Sequence, residues 1–144
     1  MDLITHCEIK PVINQVETNP FIQQIRLQSF LNENNIVHEA WSPFATGKKD
    51  IWENKKLNKI AKKYGVSVSQ VIVRWLLQRG MVVVSKSRGI EHMKQNINVF
   101  GFSLDRNDMR EIASINDECS VYFGKEGIRN PNVVKTTGGL KFNT

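Results

Sequence analysis

A lysine and a serine stand side by side between a predicted strand and a predicted helix, at Lys86 and Ser87. The preceding run, Met81–Val84, is continuously apolar, and a short helix is predicted over Ile90–Asn96. A strand-to-helix turn of this kind suits a phosphate, because the lysine supplies charge and the free backbone N–H groups and helix dipole add donors and a positive end. The turn therefore predicts a phosphate-binding site.

Two other predicted strands also end in polar or aromatic side chains. The first strand, Val12–Glu17, contains Gln15, and the second, Ile36–Trp41, ends at Trp41. Both runs are rich in β-branched residues and are followed by turn signals, which is typical of strands. Potentially functional side chains are thus predicted at three strand ends.

Acid–base and metal chemistry are not favoured by the remaining residues. Glu17, His38 and Glu39 lie on strands, where strand-end polarity explains them. We interpret Trp52 and Trp75 as packing residues. The sequence shows no His, Cys, Asp and Glu set with zinc-like spacing, so no metal site is predicted, and none of the residues above is assigned a catalytic role.

Strands alternate with helices along the chain, which predicts an α/β fold with parallel strands. The third strand, Met81–Val84, is apolar throughout and is therefore predicted to be buried on both faces. Ser67 and Gln70 predict a capping box before the helix that ends near Arg79, and Gly65 predicts a helix end. The other predicted helices are Phe21–Asn34, Lys55–Tyr64, Ile90–Asn96 and Arg106–Asn116.

Length and charge limit the function classes. The chain has 144 residues and a net charge of +6, but its basic residues are dispersed over helix faces and turns, so nucleic-acid binding is not predicted. No apolar run is long enough to span a membrane, and the start lacks the features of a secretory signal. Cys7 and Cys119 predict free thiols in a reducing cytoplasm, with a disulfide between them as the alternative.

Three segments, in this order and spacing, resemble the C-terminal half of the aldo-keto reductases. They are KPVINQVETNPF at Lys10–Phe21, NNIVHEAWSPF at Asn34–Phe44, and RWLLQRGMVVVSKSRGIEHMKQNINVFGFSL at Arg74–Leu104. The resemblance implies a (β/α)8 TIM barrel, of which this chain would supply about three strands with flanking helices. Residues 1–118 are expected to form that C-terminal part of the barrel, and residues 119–144 an irregular tail.

The resemblance also assigns residues to an NADP cofactor. Gln15 matches the glutamine whose amide holds the nicotinamide carboxamide, and Trp41 matches the aromatic residue that stacks on the nicotinamide ring. Ser42 and Phe44 match positions that line the diphosphate side of the next loop.

The adenosine end is assigned in the same way. Lys86 and Ser87 match the pair that grips the 2′-phosphate, which favours NADPH over NADH, and Asn96 matches an asparagine that hydrogen-bonds the adenine. The family usually has Arg where this chain has His92 and Glu where it has Gln95. A guanidinium can pair with phosphate and stack on adenine, so weaker or less selective NADPH binding is expected.

Arg88, directly after the pair, is a candidate to compensate for the missing arginine.

The family's catalytic tyrosine, lysine, aspartate and histidine match nothing in this chain; Tyr64 is interpreted as a packing residue, and Tyr122 lies in the tail. The sequence thus predicts the cofactor-binding half of an NADPH-dependent aldehyde or ketone reductase, inactive alone, with a small carbonyl substrate once completed. The alternatives are a non-catalytic remnant that binds NADP(H) or only self-associates through unpaired barrel edges, and a basic polyanion-binding module.

Overall fold

A computed structural model describes residues 2–87 and 89–122 of the chain. Its centre is a three-stranded sheet of β1 (Ile13–Glu17), β2 (Val37–Trp41) and β3 (Val82–Val83), in that spatial order and with both pairs parallel. Gln15 pairs with Glu39, and Glu39 pairs with Val82. The predicted α/β fold with parallel strands is therefore confirmed.

Six α-helices accompany the sheet in the described ranges. They are α1 (Asp2–His6), α2 (Ile25–Glu33), α3 (Lys55–Tyr64), α4 (Val68–Gln78), α5 (Ile90–Ile97) and α6 (Arg106–Ala113), and a short 3-10 turn covers Ala45–Gly47. Helix α2 begins four residues later than Phe21, where the sequence placed its start. The side-chain oxygen of Asn19 accepts hydrogen bonds from the backbone N–H groups of Phe21 and Ile22, which holds that segment in a turn.

Side-chain caps fix several helix ends. Ser67 and Gln70 form the predicted capping box at α4, and Asp105 and Asp108 form a second one at α6. Gly65 ends α3 with a left-handed φ of 64°, a conformation that a residue with a β-carbon adopts only at a cost. These local signals explain why the predicted and observed bounds of α3 are identical.

The hydrophobic core lies between the sheet and the helices. Helix α4 crosses it, because its apolar residues recur on more than one side of the helix and are nearly all buried. Burial of each large aliphatic side chain contributes about 2 kcal/mol to stability. The core members with little or no exposure include Ala40, Ala45, Ile51, Leu57, Val71, Ile72, Trp75, Leu76, Met81 and Ile112.

The opposite face of the sheet is open. Ile13, Val37 and Val82 point to it and are 53%, 39% and 45% exposed. The prediction that the third strand is buried on both faces is therefore wrong. Its apolar pattern suits a barrel interior filled by side chains from further strands, and none of the described elements covers this face.

A polar cluster lies on the helix-facing side of the sheet. His38 is 2% exposed, its Nε2 lies 2.9 Å from the hydroxyl of Thr18, and its Nδ1 has no hydrogen-bond partner among the described residues. Desolvation, together with the charge of Arg79, lowers the pKa of His38 to about 4. The imidazole is thus neutral at neutral pH.

Both cysteines are free thiols in the described structure, with Cys7 exposed and Cys119 half-buried. The predicted thiol state is the one observed, and the alternative disulfide is absent. No helix within the described ranges is long and apolar enough to cross a lipid bilayer.

Candidate functional site

The predicted phosphate turn follows β3 directly. Lys86 is exposed, Ser87 is half-buried, and Gly89 stands at the N-cap position of α5. The side-chain amide of Asn96 donates to the hydroxyl of Ser87 at 2.9 Å and to that of Ser85 at 3.4 Å. Helix α5 is thereby tied back to the turn, so the serine hydroxyls are held in place while the lysine ammonium stays accessible.

A cavity of about 350 Å³ opens beside this turn. Six of the residues predicted to bind cofactor meet in its wall, because α5, the turn after β3 and the loop after β2 converge there. The remaining wall comes from Trp52, from the N-cap residue Ser67 and from the first two residues of α4, none of which was predicted to bind a cofactor. The lining residues are Phe44, Trp52, Ser67, Val68, Ser69, Lys86, Ser87, His92, Gln95 and Asn96.

A second cavity, of about 480 Å³, borders the same turn. It shares Lys86, Ser87 and Asn96 with the first cavity and adds Met93 and Ile97 from α5. The phosphate turn therefore has two neighbours of different chemistry: an aromatic wall on one side and flexible aliphatic side chains on the other.

Gln15 and Glu39 lie side by side on the open face of the sheet. Their strands are in register at these residues, and the amide nitrogen of Gln15 donates a hydrogen bond to a carboxylate oxygen of Glu39. An ionised carboxylate can only accept, so this contact fixes which end of the amide faces Glu39. The carbonyl oxygen of Gln15 is consequently the end available to a ligand donor.

Trp41 and Ser42 lie at the end of β2. The Trp41 ring packs against that of Tyr122, with centroids 4.9 Å apart. Ser42 adopts a left-handed φ of 53°, and its buried hydroxyl has no hydrogen-bond partner within the described part of the chain. Buried hydroxyls are normally satisfied, so this group is an exception that lacks a polar partner among the described residues.

The first residues after α6 fold back over the same end of the sheet. The buried carboxylate of Glu17 accepts hydrogen bonds from the Ser120 hydroxyl and from the backbone N–H of Val121. Lys49 forms an ion pair with Asp117 at 3.0 Å. These contacts order residues 117–122 beside Trp41, whereas the rest of the predicted irregular tail, residues 123–144, lies outside the described residues.

The structure brings the predicted residues together in two groups. Gln15, Trp41 and Ser42 belong to the sheet end, and the cavity gathers Phe44, Lys86, Ser87, His92, Gln95 and Asn96. Arg88, the candidate compensating cation, lies outside the described residues. Within the described ranges, no group of three or more His, Cys, Asp or Glu side chains could hold a metal ion.

A family model for the Aldo/keto reductase family matches residues 1–117. The chain belongs to the aldo/keto reductase family. It is 42% identical over 116 residues to aldose reductase C of Dictyostelium discoideum, a match that covers 81% of this chain and 36% of that protein. It is also 39% identical to a 9,11-endoperoxide prostaglandin H2 reductase of Trypanosoma cruzi, a match that covers 81% of this chain and 42% of that protein. The chain thus spans less than half the length of these curated relatives.

Solved structures of the family share the fold. An aldo-keto reductase from a Medee basin deep-sea metagenome library superposes with a TM-score of 0.79 at 39% identity, over 81% of this chain and 43% of that one. The Bombyx mori aldo-keto reductase solved in complex with NADP gives a TM-score of 0.78 at 30% identity, over 83% and 42%. The three parallel strands and their helices are therefore an incomplete barrel of the aldo-keto reductase type.

Proposed function

We propose that this chain forms the NADP(H)-binding part of a reductase that acts on aldehydes or ketones. The observation that carries the proposal is the cavity in which Lys86, Ser87 and Asn96 meet an aromatic wall, beside a sheet end with Gln15 and Trp41. Family membership and the NADP-bound structural relative support it. When bound, NADPH supplies the hydride that reduces a carbonyl carbon.

The residues present fit the two ends of such a cofactor. Lys86 and Ser87 offer an accessible ammonium and a hydroxyl for the 2′-phosphate, which is the basis for preferring NADPH to NADH. The carbonyl oxygen of Gln15, which has no donor among the described residues, is an acceptor for the N–H₂ of the nicotinamide carboxamide. Trp41 offers a ring face to the nicotinamide, and the Ser42 hydroxyl, which has no partner within the described ranges, is a donor for the diphosphate.

The proton for reduction comes, in this proposal, from residues outside this sequence. Tyr64 is engaged in the scaffold: its hydroxyl donates to Asp108 at 2.5 Å and accepts from the backbone N–H of Asp105 at 3.2 Å. Glu17 is buried and accepts hydrogen bonds from residues 120 and 121. The chain alone is therefore expected to bind NADPH without turning over a carbonyl compound.

The test is NADPH oxidation by the purified chain with a panel of reactive aldehydes. The oxidation is measured as the loss of NADPH absorbance. We expect no turnover at any protein concentration. Turnover that Lys86→Ala abolishes would show that the chain, by itself or as an assembly, supplies a catalytic acid. The proposal that the proton comes from residues outside this sequence would then be wrong.

A second candidate function is self-association without catalysis, which the open sheet face favours. Ile13, Val37 and Val82 expose apolar surface there, and β1 and β3 are outer strands of the described sheet. Pairing with a complementary barrel half would cover the same surface. Sedimentation analysis distinguishes the two, because self-association gives a concentration-dependent mass for the pure chain. We expect either assembly to reside in the cytoplasm, in keeping with the free thiols.

A further inference from the structure

Trp52 forms part of the wall of the 350 Å³ cavity. It contributes an aromatic surface, whereas the turn at Lys86 and Ser87 contributes polar groups to the same cavity. Trp52 is 41% exposed, although tryptophan is highly buried on average in proteins. Its ring packs on Phe44 at a tilt of 45°, with centroids 5.6 Å apart. Two aromatic rings thus stand together on one side of the cavity, and one of them keeps a large part of its surface free.

The position of the indole is set by its loop. The neighbouring Ile51 is fully buried and anchors the segment in the core. Gly47 has a left-handed φ of 73°, and a β-carbon added there would lie 3.4 Å from the indole nitrogen of Trp52. The backbone carbonyl of Trp52 accepts a hydrogen bond from the Asn58 amide at 2.6 Å. The ring is therefore held in place before any ligand arrives, which lowers the entropy cost of binding.

The rest of the cavity matches one kind of ligand. Lys86 and Ser87 supply charge and a hydroxyl for a phosphate, Gln95 and Asn96 supply amides, and the Trp52 wall supplies a flat apolar face. A purine nucleoside with an attached phosphate presents these three chemistries together, since its base has a π-face, its edge has donors and acceptors, and its phosphate is anionic.

We propose that Trp52 is the stacking surface for the adenine ring of the cofactor. This inference rests on the proposed function and deepens it, because it assigns the adenine to the aromatic cavity and not to the aliphatic one beside Met93. Trp52 is then a binding residue, and its removal acts on nucleotide affinity whether or not a nicotinamide is attached.

The experiment is calorimetric titration of the full chain with 2′,5′-ADP, which carries the adenine and the 2′-phosphate without a nicotinamide. We expect Trp52→Ala to weaken binding about tenfold, since stacking of one base on an aromatic side chain typically accounts for a loss of this size. Trp52→Phe keeps a ring and is expected to lose no more than about threefold.

Met93→Ala is the matched control, since Met93 lines only the second cavity and is also largely exposed. We expect it to bind 2′,5′-ADP as the wild type does. Trp52→Ala binding within twofold of the wild type, or a tenfold loss in Met93→Ala, would overturn the inference while leaving the proposed function in place. Failure of the wild-type chain to bind 2′,5′-ADP or NADPH would overturn both.

Discussion

The two faces of the sheet have opposite environments. On the helix-facing side Ala40 and Met81 are buried, whereas on the other side Ile13 and Val82 are about half exposed. The residues proposed to bind the cofactor divide along a related line: those proposed for the adenosine end line a cavity formed by this chain's own loops and helices, and Gln15 lies on the open face. The adenosine end of the proposed site is thus built by local contacts, while the nicotinamide end depends on whatever covers the open face.

The largest expected effect separates the two faces directly. Ile72 is fully buried and Ile13 is 53% exposed, so the same substitution reports on both environments. Ile72→Ala is expected to lower the free energy of unfolding by about 3 kcal/mol, through lost burial and the cavity left behind, and Ile13→Ala by less than about 1 kcal/mol. Urea unfolding at low protein concentration measures both. An equally large loss for Ile13→Ala would show that the open face is covered in solution.

A pH-dependent loss of stability is expected from the closed face. The pKa of His38 is 6.5 in the unfolded chain and about 4 in the folded chain. As the pH falls through 6.5, the unfolded state takes up a proton that the folded state does not, so the free energy of unfolding decreases until about pH 4, by about 3 kcal/mol in total. Above pH 6.5 the group contributes no pH dependence. His38→Gln should remove this component from unfolding curves recorded across that range, and its persistence would contradict the assignment.

Loss of the lysine in the phosphate turn should act on one cofactor only. Lys86→Ala is expected to weaken NADPH binding by roughly 10- to 100-fold, because charge-assisted hydrogen bonds to the 2′-phosphate are lost, and to leave NADH binding nearly unchanged. Lys59→Ala, which removes an exposed lysine on α3, is the control for net charge. Equal losses for NADPH and NADH would place the phosphate contact elsewhere.

The smallest expected effect concerns the open face. Glu39 holds the amide of Gln15 with its oxygen free, so Glu39→Ala is expected to weaken NADP+ binding by roughly three- to tenfold. The 3-acetylpyridine analogue of NADP+ lacks the carboxamide N–H₂ and should bind the Glu39→Ala variant as tightly as it binds the wild type. Glu39→Gln retains an acceptor oxygen and should resemble the wild type. A similar loss with the analogue would mean that Glu39 acts through something other than Gln15.

Local signals in the sequence predicted much of the fold. The bounds of α3 and the Ser67 capping box followed from cap residues and helical periodicity, which act within a few residues. The start of α2 was missed because Asn19 bonds the following backbone in a turn that periodicity does not register. The predicted burial of β3 on both faces was wrong because an apolar run indicates only what a strand can pack against, and none of the described elements covers that face of β3.

The candidate site was predicted unevenly for a related reason. Lys86, Ser87 and Asn96 are close in sequence, and the structure places them in one wall. Trp52 was interpreted as a packing residue. Its position in the cavity depends on the left-handed backbone of Ala45, Thr46 and Gly47, and the Thr-Gly pair predicts only part of that backbone conformation. Loop conformation of this kind is set by tertiary contacts, so the aromatic wall emerged only with the structure.

The most direct test of the central claim is a titration of NADPH into the purified chain, monitored by calorimetry. The account predicts saturable binding of one NADPH per chain that 2′,5′-ADP displaces, since residues of this chain line the cavity proposed for the adenosine end. Absence of saturable binding, or binding that 2′,5′-ADP does not displace, would contradict it.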